Sequence, residues 1–230
     1  MKFTIIATGY NCEKYVKECI DSVICQTYKN WELFVYNDGS TDSTADIAQR
    51  YASDKVFIIN NQINEGALKG RYNIIQDHAT GDVVCFLGLD DYLQPAALDI
   101  LLEYYDDEVQ MTWGNWQTPS GSLNIATNYA KDVWQNKSFR RAAWRATALN
   151  TFRLSLIKQV DKKYLLRDGK FLTNCTDLAY SFPCLEMIEE HEARVVQEPI
   201  YVYRKNTTNS TLNRFGRNNK TEIREYLKTL

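Results

Sequence analysis

Between Phe3 and Tyr105 the sequence alternates four times between a short apolar run and a stretch of helical periodicity, and few folds accommodate that rhythm. The apolar runs are Phe3–Thr8, Trp31–Asn37, Val56–Asn60 and Val83–Leu89. They are short and rich in β-branched and aromatic residues, as expected of buried strands. After the first run, Val16, Cys19, Ile20, Val23 and Ile24 recur at helical spacing within Lys14–Gln26. Further helices are predicted from about Thr44 to Tyr51, over Ala67–His78, and from Pro95 to about Tyr105, with the proline in a first turn. Strand and helix in strict alternation predict an α/β fold: a doubly wound, mostly parallel central sheet flanked by helices. Such sheets bind ligands beyond the carboxyl ends of their strands. The loops that open there carry Tyr10-Asn11, Asp38, Gly66 and Asp90-Asp91.

The second half is less regular. A strand is expected over Glu108–Trp113 and a loop-rich stretch over Gly114–Lys137. A helix is expected over Thr176–Glu190, kinked or interrupted by Pro183, then two short strands, Arg194–Glu198 and Ile200–Tyr203, broken by Pro199. Residues 1–205 read as one domain, with a regular half at 1–105 and a less regular half at 106–205. Residues 206–230 read as a tail with a short amphipathic helix around Ile223, Tyr226 and Leu227.

Charge is close to balance, 27 basic residues against 29 acidic, which gives no electrostatic case for nucleic acid. No stretch approaches the length of a membrane span or a signal-peptide core, so a cytoplasmic protein is expected. Six cysteines without a CxxC pair read as reduced thiols, and the sequons at Asn136 and Asn206 then carry no sugar. Two histidines are too few for a histidine-rich zinc site.

The motifs come in a fixed order: Ile6-Ala7-Thr8-Gly9-Tyr10-Asn11; Gln26-Thr27-Tyr28; Trp31-Glu32-Leu33; Asn37-Asp38-Gly39-Ser40-Thr41-Asp42; Asn64-Glu65-Gly66 with Arg71; Ala79-Thr80-Gly81-Asp82; and Phe86-Leu87-Gly88-Leu89-Asp90-Asp91. No one of them is specific, but in this order and spacing the chain resembles the family-2 glycosyltransferases, inverting enzymes of the GT-A fold. The resemblance covers about Phe3–Leu98 and resumes around Thr176–Arg204.

The resemblance implies a nucleoside-diphosphate-sugar donor, a glycan or other hydroxyl-bearing acceptor, and a divalent metal, Mn²⁺ or Mg²⁺. It assigns Asp38 to the nucleotide base, Tyr10 to stacking on that base, and Thr8 and Arg71 to the donor. Asp90 corresponds to the second Asp of the family's Asp-x-Asp and is the expected metal ligand. Gly88 stands where the first Asp would be, and Asp91 is expected to take up part of its work on the donor. Asp177 corresponds to the catalytic base, with Thr176 in place of its usual acidic neighbour. Arg204 or Lys205 is expected at the diphosphate. Acceptor contacts are expected from Phe139-Arg140-Arg141, Trp144-Arg145, and Trp113 or Trp116, since tryptophan faces stack on sugar C–H surfaces and arginines recognise acidic or phosphorylated groups.

Each role has a chemical basis. A carboxylate at a strand end accepts from a base N–H, and an Asp in a first helical turn is kept ionised by the helix dipole. Oxygen ligands and a divalent cation offset the charge of a diphosphate leaving group. Nucleotide-sugar pyrophosphorylases and dinucleotide-dependent dehydrogenases are set aside, because Gly9-Tyr10-Asn11-Cys12-Glu13 is neither a basic glycine-rich loop nor G-x-G-x-x-G. A related domain that binds a nucleotide sugar with little turnover is the remaining alternative.

Overall fold

The computed structural model describes residues 1–205 and 211–230, the side chains of 211–217 excepted. The first half alternates as the periodicity predicts. β1 (Phe3–Gly9), α1 (Val16–Ile24), β2 (Trp31–Asn37), α2 (Thr44–Gln49), β3 (Val56–Asn60), α3 (Ala67–Asp77) and β4 (Val83–Gly88) follow one another, then β5 (Tyr92–Leu93) and α4 (Ala97–Tyr104). The second half holds β6 (Met111–Gln117), β7 (Leu123–Asn124), α5 (Lys131–Gln135), β8 (Thr151–Arg153), α6 (Leu154–Ile157), the hairpin strands β9 (Leu166–Arg167) and β10 (Lys170–Phe171), α7 (Thr176–Met187), β11 (Ala193–Val202) and α8 (Thr211–Thr229).

The main sheet runs β3-β2-β1-β4-β8-β6-β11-β5, with β7 paired to β6. Its first four strands are parallel, and β1 lies between β2 and β4 with Thr8 opposite Tyr36 and Gly88. Beyond β4 the sheet is mixed: β8 is antiparallel to both β4 and β6, β11 is parallel to β6, and β5 is antiparallel to β11. Although β5 follows β4 after three residues, it sits at the far edge of the sheet. So short a link requires the sheet to curl until that edge returns to the carboxyl end of β4.

Both faces of the sheet are covered, which explains the continuous apolar runs. Ile5, Ala7, Leu33, Val35, Cys85 and Leu87 face α1, α2 and α4. Their alternates Ile6, Phe34, Tyr36, Val84 and Phe86 face α3, α7 and α8. Full burial of an aliphatic side chain contributes about 1.5–3 kcal/mol, so these two layers dominate the stability of the sheet.

Several second-half expectations shift. The strand expected over Glu108–Trp113 begins at Met111 and runs to Gln117. The two strands expected around Pro199 are one, β11, whose register against β6 slips between Val196 and Tyr201. Pro183 is accommodated inside α7, which ends at Met187. The tail helix is 19 residues long and docks on the core through Ile223 and Leu227. The sequon at Asn206 lies outside the described residues. All six cysteines are free thiols, and among the described residues no helix is long and apolar enough to cross a membrane.

Candidate active site

The carboxyl ends of β1, β2 and β4 lie side by side, and the loops leaving them build the site. At the end of β2, the buried Asp38 carboxylate accepts from the backbone N–H groups of Glu65 (3.0 Å) and Gly66 (2.8 Å). Its carbonyl accepts from Asn64 Nδ2 at 2.8 Å. Asp38 therefore pins the loop that leads into α3. Gly39 allows this approach: it has φ +71°, and a Cβ there would lie 2.5 Å from the carbonyl carbon of Ile63. Thr8 and Tyr10, at the end of β1, flank the same place.

The turn after β4 holds two carboxylates. Asp91 is buried; its Oδ2 accepts from Tyr201 Oη at 2.5 Å and its Oδ1 from the Arg204 N–H at 2.7 Å. Burial, and next the charge of Asp90, push the Asp91 carboxyl up to about 8, against the lowering effect of Tyr201 and Arg204. Asp90 is half-buried beside it. A Cβ on Gly88 would lie 2.9 Å from both Asp90 Oδ1 and Asp91 Oδ2, so these oxygens converge on the glycine. They are hard donors of the kind Mg²⁺ and Mn²⁺ favour. Among the described residues, however, no group of three His, Cys, Asp or Glu side chains forms a complete metal cage.

Arg204 closes this turn. Its Nη1 donates to the Asp90 carbonyl at 2.8 Å, its Nη2 to Glu18, and its guanidinium packs over the rings of Tyr15 and Tyr92. Lys205 lies over the ring of Trp116, which meets Tyr203 edge-on.

Asp177 stands in the first turn of α7, after Cys175 in a left-handed conformation (φ 54°). Arg71 reaches the same turn from α3: its Nη1 donates to Thr176 Oγ1 at 2.9 Å. Arg71 is buried over Phe86, its Nε has no partner among the described residues, and Asp177 is the strongest influence sustaining its charge against burial. Tyr203 ties the two acidic places together. Its hydroxyl is pushed up to about 12 by burial, then by the charges of Asp91, Asp90 and Asp177. Phe86 lies near the carboxyl end of β4 and Thr176 opens α7, so Arg71 brings the Asp90–Asp91 turn and Asp177 to one place at the end of the sheet. The Asp38 loop adjoins it, since Gly66 lies against Thr173, just before α7.

Other expected positions are used differently. Trp113 is fully buried, with its Nε1 bonded to the Thr127 carbonyl, so it is a core residue and no acceptor platform. Arg140 is likewise inside the fold: it grips Glu186 through Nε and Nη2 and donates to the Leu227 carbonyl, fastening α7 to α8. Trp144 is half-buried and packs edge-on against Phe182, whereas Trp116 stays at the cleft margin. Sequence reasoning missed Tyr201, Glu18 and Tyr15 as partners of the acidic turn. Only Tyr201 left a trace, as an aromatic two residues before Tyr203-Arg204.

Residues 4–159 match the family described as glycosyl transferase family 2. The chain belongs to that family. Among its relatives, the putative glycosyltransferase EpsE of Bacillus subtilis is 41% identical over 101 residues, 43% of this chain and 36% of EpsE. The chain spans 25–36% of the length of the first curated relatives it matches. The GT-A fold is shared with S. aureus TarS in complex with UDP-GlcNAc (TM-score 0.63, 20% identity, 90% of this chain and 59% of TarS). It is also shared with a mannosyltransferase from Pyrobaculum calidifontis in complex with GDP-Man and Mn²⁺ (TM-score 0.59, 18% identity, 88% of this chain and 56% of that one).

Proposed function

We propose that this family-2 glycosyltransferase transfers one sugar, with inversion, from a nucleoside-diphosphate sugar to an acceptor hydroxyl, with Asp177 as the base. The reading rests on one observation: Arg71 packs over Phe86 near the end of β4 and donates to Thr176 at 2.9 Å, so Asp177 stands beside the strand end that leads into Asp90 and Asp91. Its donor is supported by the likeness to proteins that bind UDP-GlcNAc and GDP-Man.

The nucleotide is assigned to Thr8, Tyr10 and Asp38, the diphosphate to the Asp90–Asp91 turn and Arg204. Asp38 fixes the wall formed by the loop at 64–66, and its carboxylate is assigned to a base N–H. Asp90, aided by Asp91, would hold a divalent cation whose remaining ligands come from the donor and water. Such a cation supplies Lewis-acid stabilisation of the leaving diphosphate. Arg71, expected at the donor, is assigned to Asp177 instead, because it bonds the residue before it.

In the transfer, Asp177 accepts the proton of the acceptor hydroxyl as that oxygen bonds to the anomeric carbon. The anomeric carbon–oxygen bond to phosphate breaks on the opposite face, and the nucleoside diphosphate leaves with the bonding pair. A well-placed general base contributes about 10²–10⁴-fold. Asp177→Asn should lower kcat by that factor while donor affinity, measured by calorimetry, stays within about twofold. Undiminished turnover would reject Asp177 as the base.

A further inference from the structure

The near-neutral net charge conceals a division. Residues 1–136 carry 9 Lys and Arg against 19 Asp and Glu, whereas residues 137–230 carry 18 against 10. Part of the basic excess is used within the fold, as in the pairs Arg140–Glu186, Lys137–Glu189 and Lys228–Glu225. Arg145, Lys220 and Arg224 form no ion pair among the described residues.

Lys220 and Arg224 stand at the start of α7, and Arg145 adjoins Arg224 at Tyr129. The Lys220 carbonyl accepts from Cys175 Sγ at 3.6 Å, and Asn219 Oδ1 accepts from Asn174 Nδ2 at 3.5 Å, so this part of α8 lies against the two residues that precede Thr176-Asp177. Arg224 is one turn further along the same face of α8. The Arg145 N–H donates to Tyr129 Oη at 3.3 Å, and the charges of Arg145 and Arg224 both act on that hydroxyl. Lys220, Arg224 and Asp177 likewise all act on the Cys175 thiol, which burial pushes up to about 11. The acids of α8 fall on its opposite face: Glu222 and Glu225 line a shallow groove with Arg167 and Tyr226.

Unpaired cations beside a general base do nothing for the donor, whose diphosphate is assigned to the Asp90–Asp91 turn. They suit the other substrate. We propose that the acceptor carries a phosphate or phosphodiester close to its reacting hydroxyl, and that Arg145, Lys220 and Arg224 bind it. The inference rests on the assignment of Asp177 as base. An anionic membrane surface fits less well, because Ile223 and Leu227 of α8 are buried in the core and are not offered to lipid.

The test uses the full chain with Mn²⁺ and saturating UDP or GDP, whichever raises Tm, so that the diphosphate site is filled. Glycerol 3-phosphate and glycerol are titrated by calorimetry into wild type and into an Arg145→Gln/Lys220→Gln/Arg224→Gln variant. Glycerol 3-phosphate should bind, glycerol should not, and the variant should bind at least about tenfold more weakly with an unchanged Tm. Equal affinity in the variant, or no preference for the phosphate, overturns the proposal. Co-sedimentation with mixed phosphatidylglycerol–phosphatidylcholine vesicles is run alongside. Vesicle binding lost in the variant, without glycerol 3-phosphate binding, would transfer these cations to a lipid surface. If neither nucleotide raises Tm, the donor reading fails. The comparison of variant with wild type still decides the phosphate site, because none of the three residues belongs to the acidic turn. Should the triple variant lose Tm, Lys220→Gln alone, at an exposed position, gives the same comparison with a smaller loss.

Discussion

Gly88 offers the sharpest test of how the acidic turn is built. By family pattern, Gly88→Asp completes an Asp-x-Asp and should tighten donor binding. The geometry gives the opposite expectation. A Cβ at this position would lie 2.9 Å from Asp90 Oδ1 and from Asp91 Oδ2, inside the normal contact distance. Asp91 has little room to yield, because Tyr201 and Arg204 hold its two oxygens at 2.5 and 2.7 Å. Overpacking of this kind costs about 1–3 kcal/mol, and for a chain of this size that is a fall in Tm of about 2–12 °C for Gly88→Ala. Gly88→Asp adds a third carboxylate where burial and Asp90 already push Asp91 up to about 8. It should therefore be less stable than Gly88→Ala at neutral pH, and the gap should narrow as the pH falls and carboxyls protonate. Thermal melts of the three proteins at pH 5 and 7.5, with and without Mn²⁺ and nucleotide, measure this. A Gly88→Asp protein with wild-type Tm and tighter donor binding would refute the packing argument.

Other perturbations separate structural from chemical roles. Asp38→Ala removes the acceptor of two backbone N–H groups, so the Glu65 and Gly66 amides should exchange hydrogen faster and nucleotide affinity should fall; unaltered exchange would show that the loop does not depend on Asp38. Glu32→Gln should cost about 1–3 kcal/mol in denaturant unfolding, since the Glu32 carboxylate accepts from Lys2 Nζ, Thr4 Oγ1 and both donors of Thr80. Burial alone would raise the Glu32 carboxyl, but these donors outweigh it and hold it below the ordinary range. Its stabilisation is thus complete above the unfolded carboxyl range near pH ~4.3 and is lost as pH falls through the lower folded value; the Gln variant should lack that acid-side loss. Trp113→Ala should cost about 3–5 kcal/mol of stability, and a change in acceptor KM without such a loss would return Trp113 to the acceptor site.

The first half of the fold was legible because its strands are buried on both faces and its helices on one, so each element leaves its own periodicity. Asp38, Asp90 and Asp177 were singled out by turn chemistry and by the order of motifs along the chain, and their roles are those proposed above. What the sequence concealed are contacts made across long distances. Arg71 lies in a helix of ordinary pattern, and only the packing of α3 against α7 reveals its bond to Thr176. Arg140 and Trp113 belong to a stretch that reads as a basic–aromatic surface, yet the sheet and α8 cover them both. The single strand β11 was hidden by Pro199, which the register slip between Val196 and Tyr201 absorbs.

The far-edge placement of β5 bears on how such a chain can be recombined. Tyr92 and Leu93 pair with Val202 and Tyr201, and Asp91 is held by Tyr201 and Arg204. The acidic turn is therefore spelled by the N-terminal part but clasped by the C-terminal one. A graft that swaps only residues 1–105 with those of a relative would import the carboxylates and leave behind the tyrosine and arginine fitted to them. On the proposed assignment of the diphosphate to this turn, exchanging donor preference between relatives requires carrying β11 and Arg204 along with that segment.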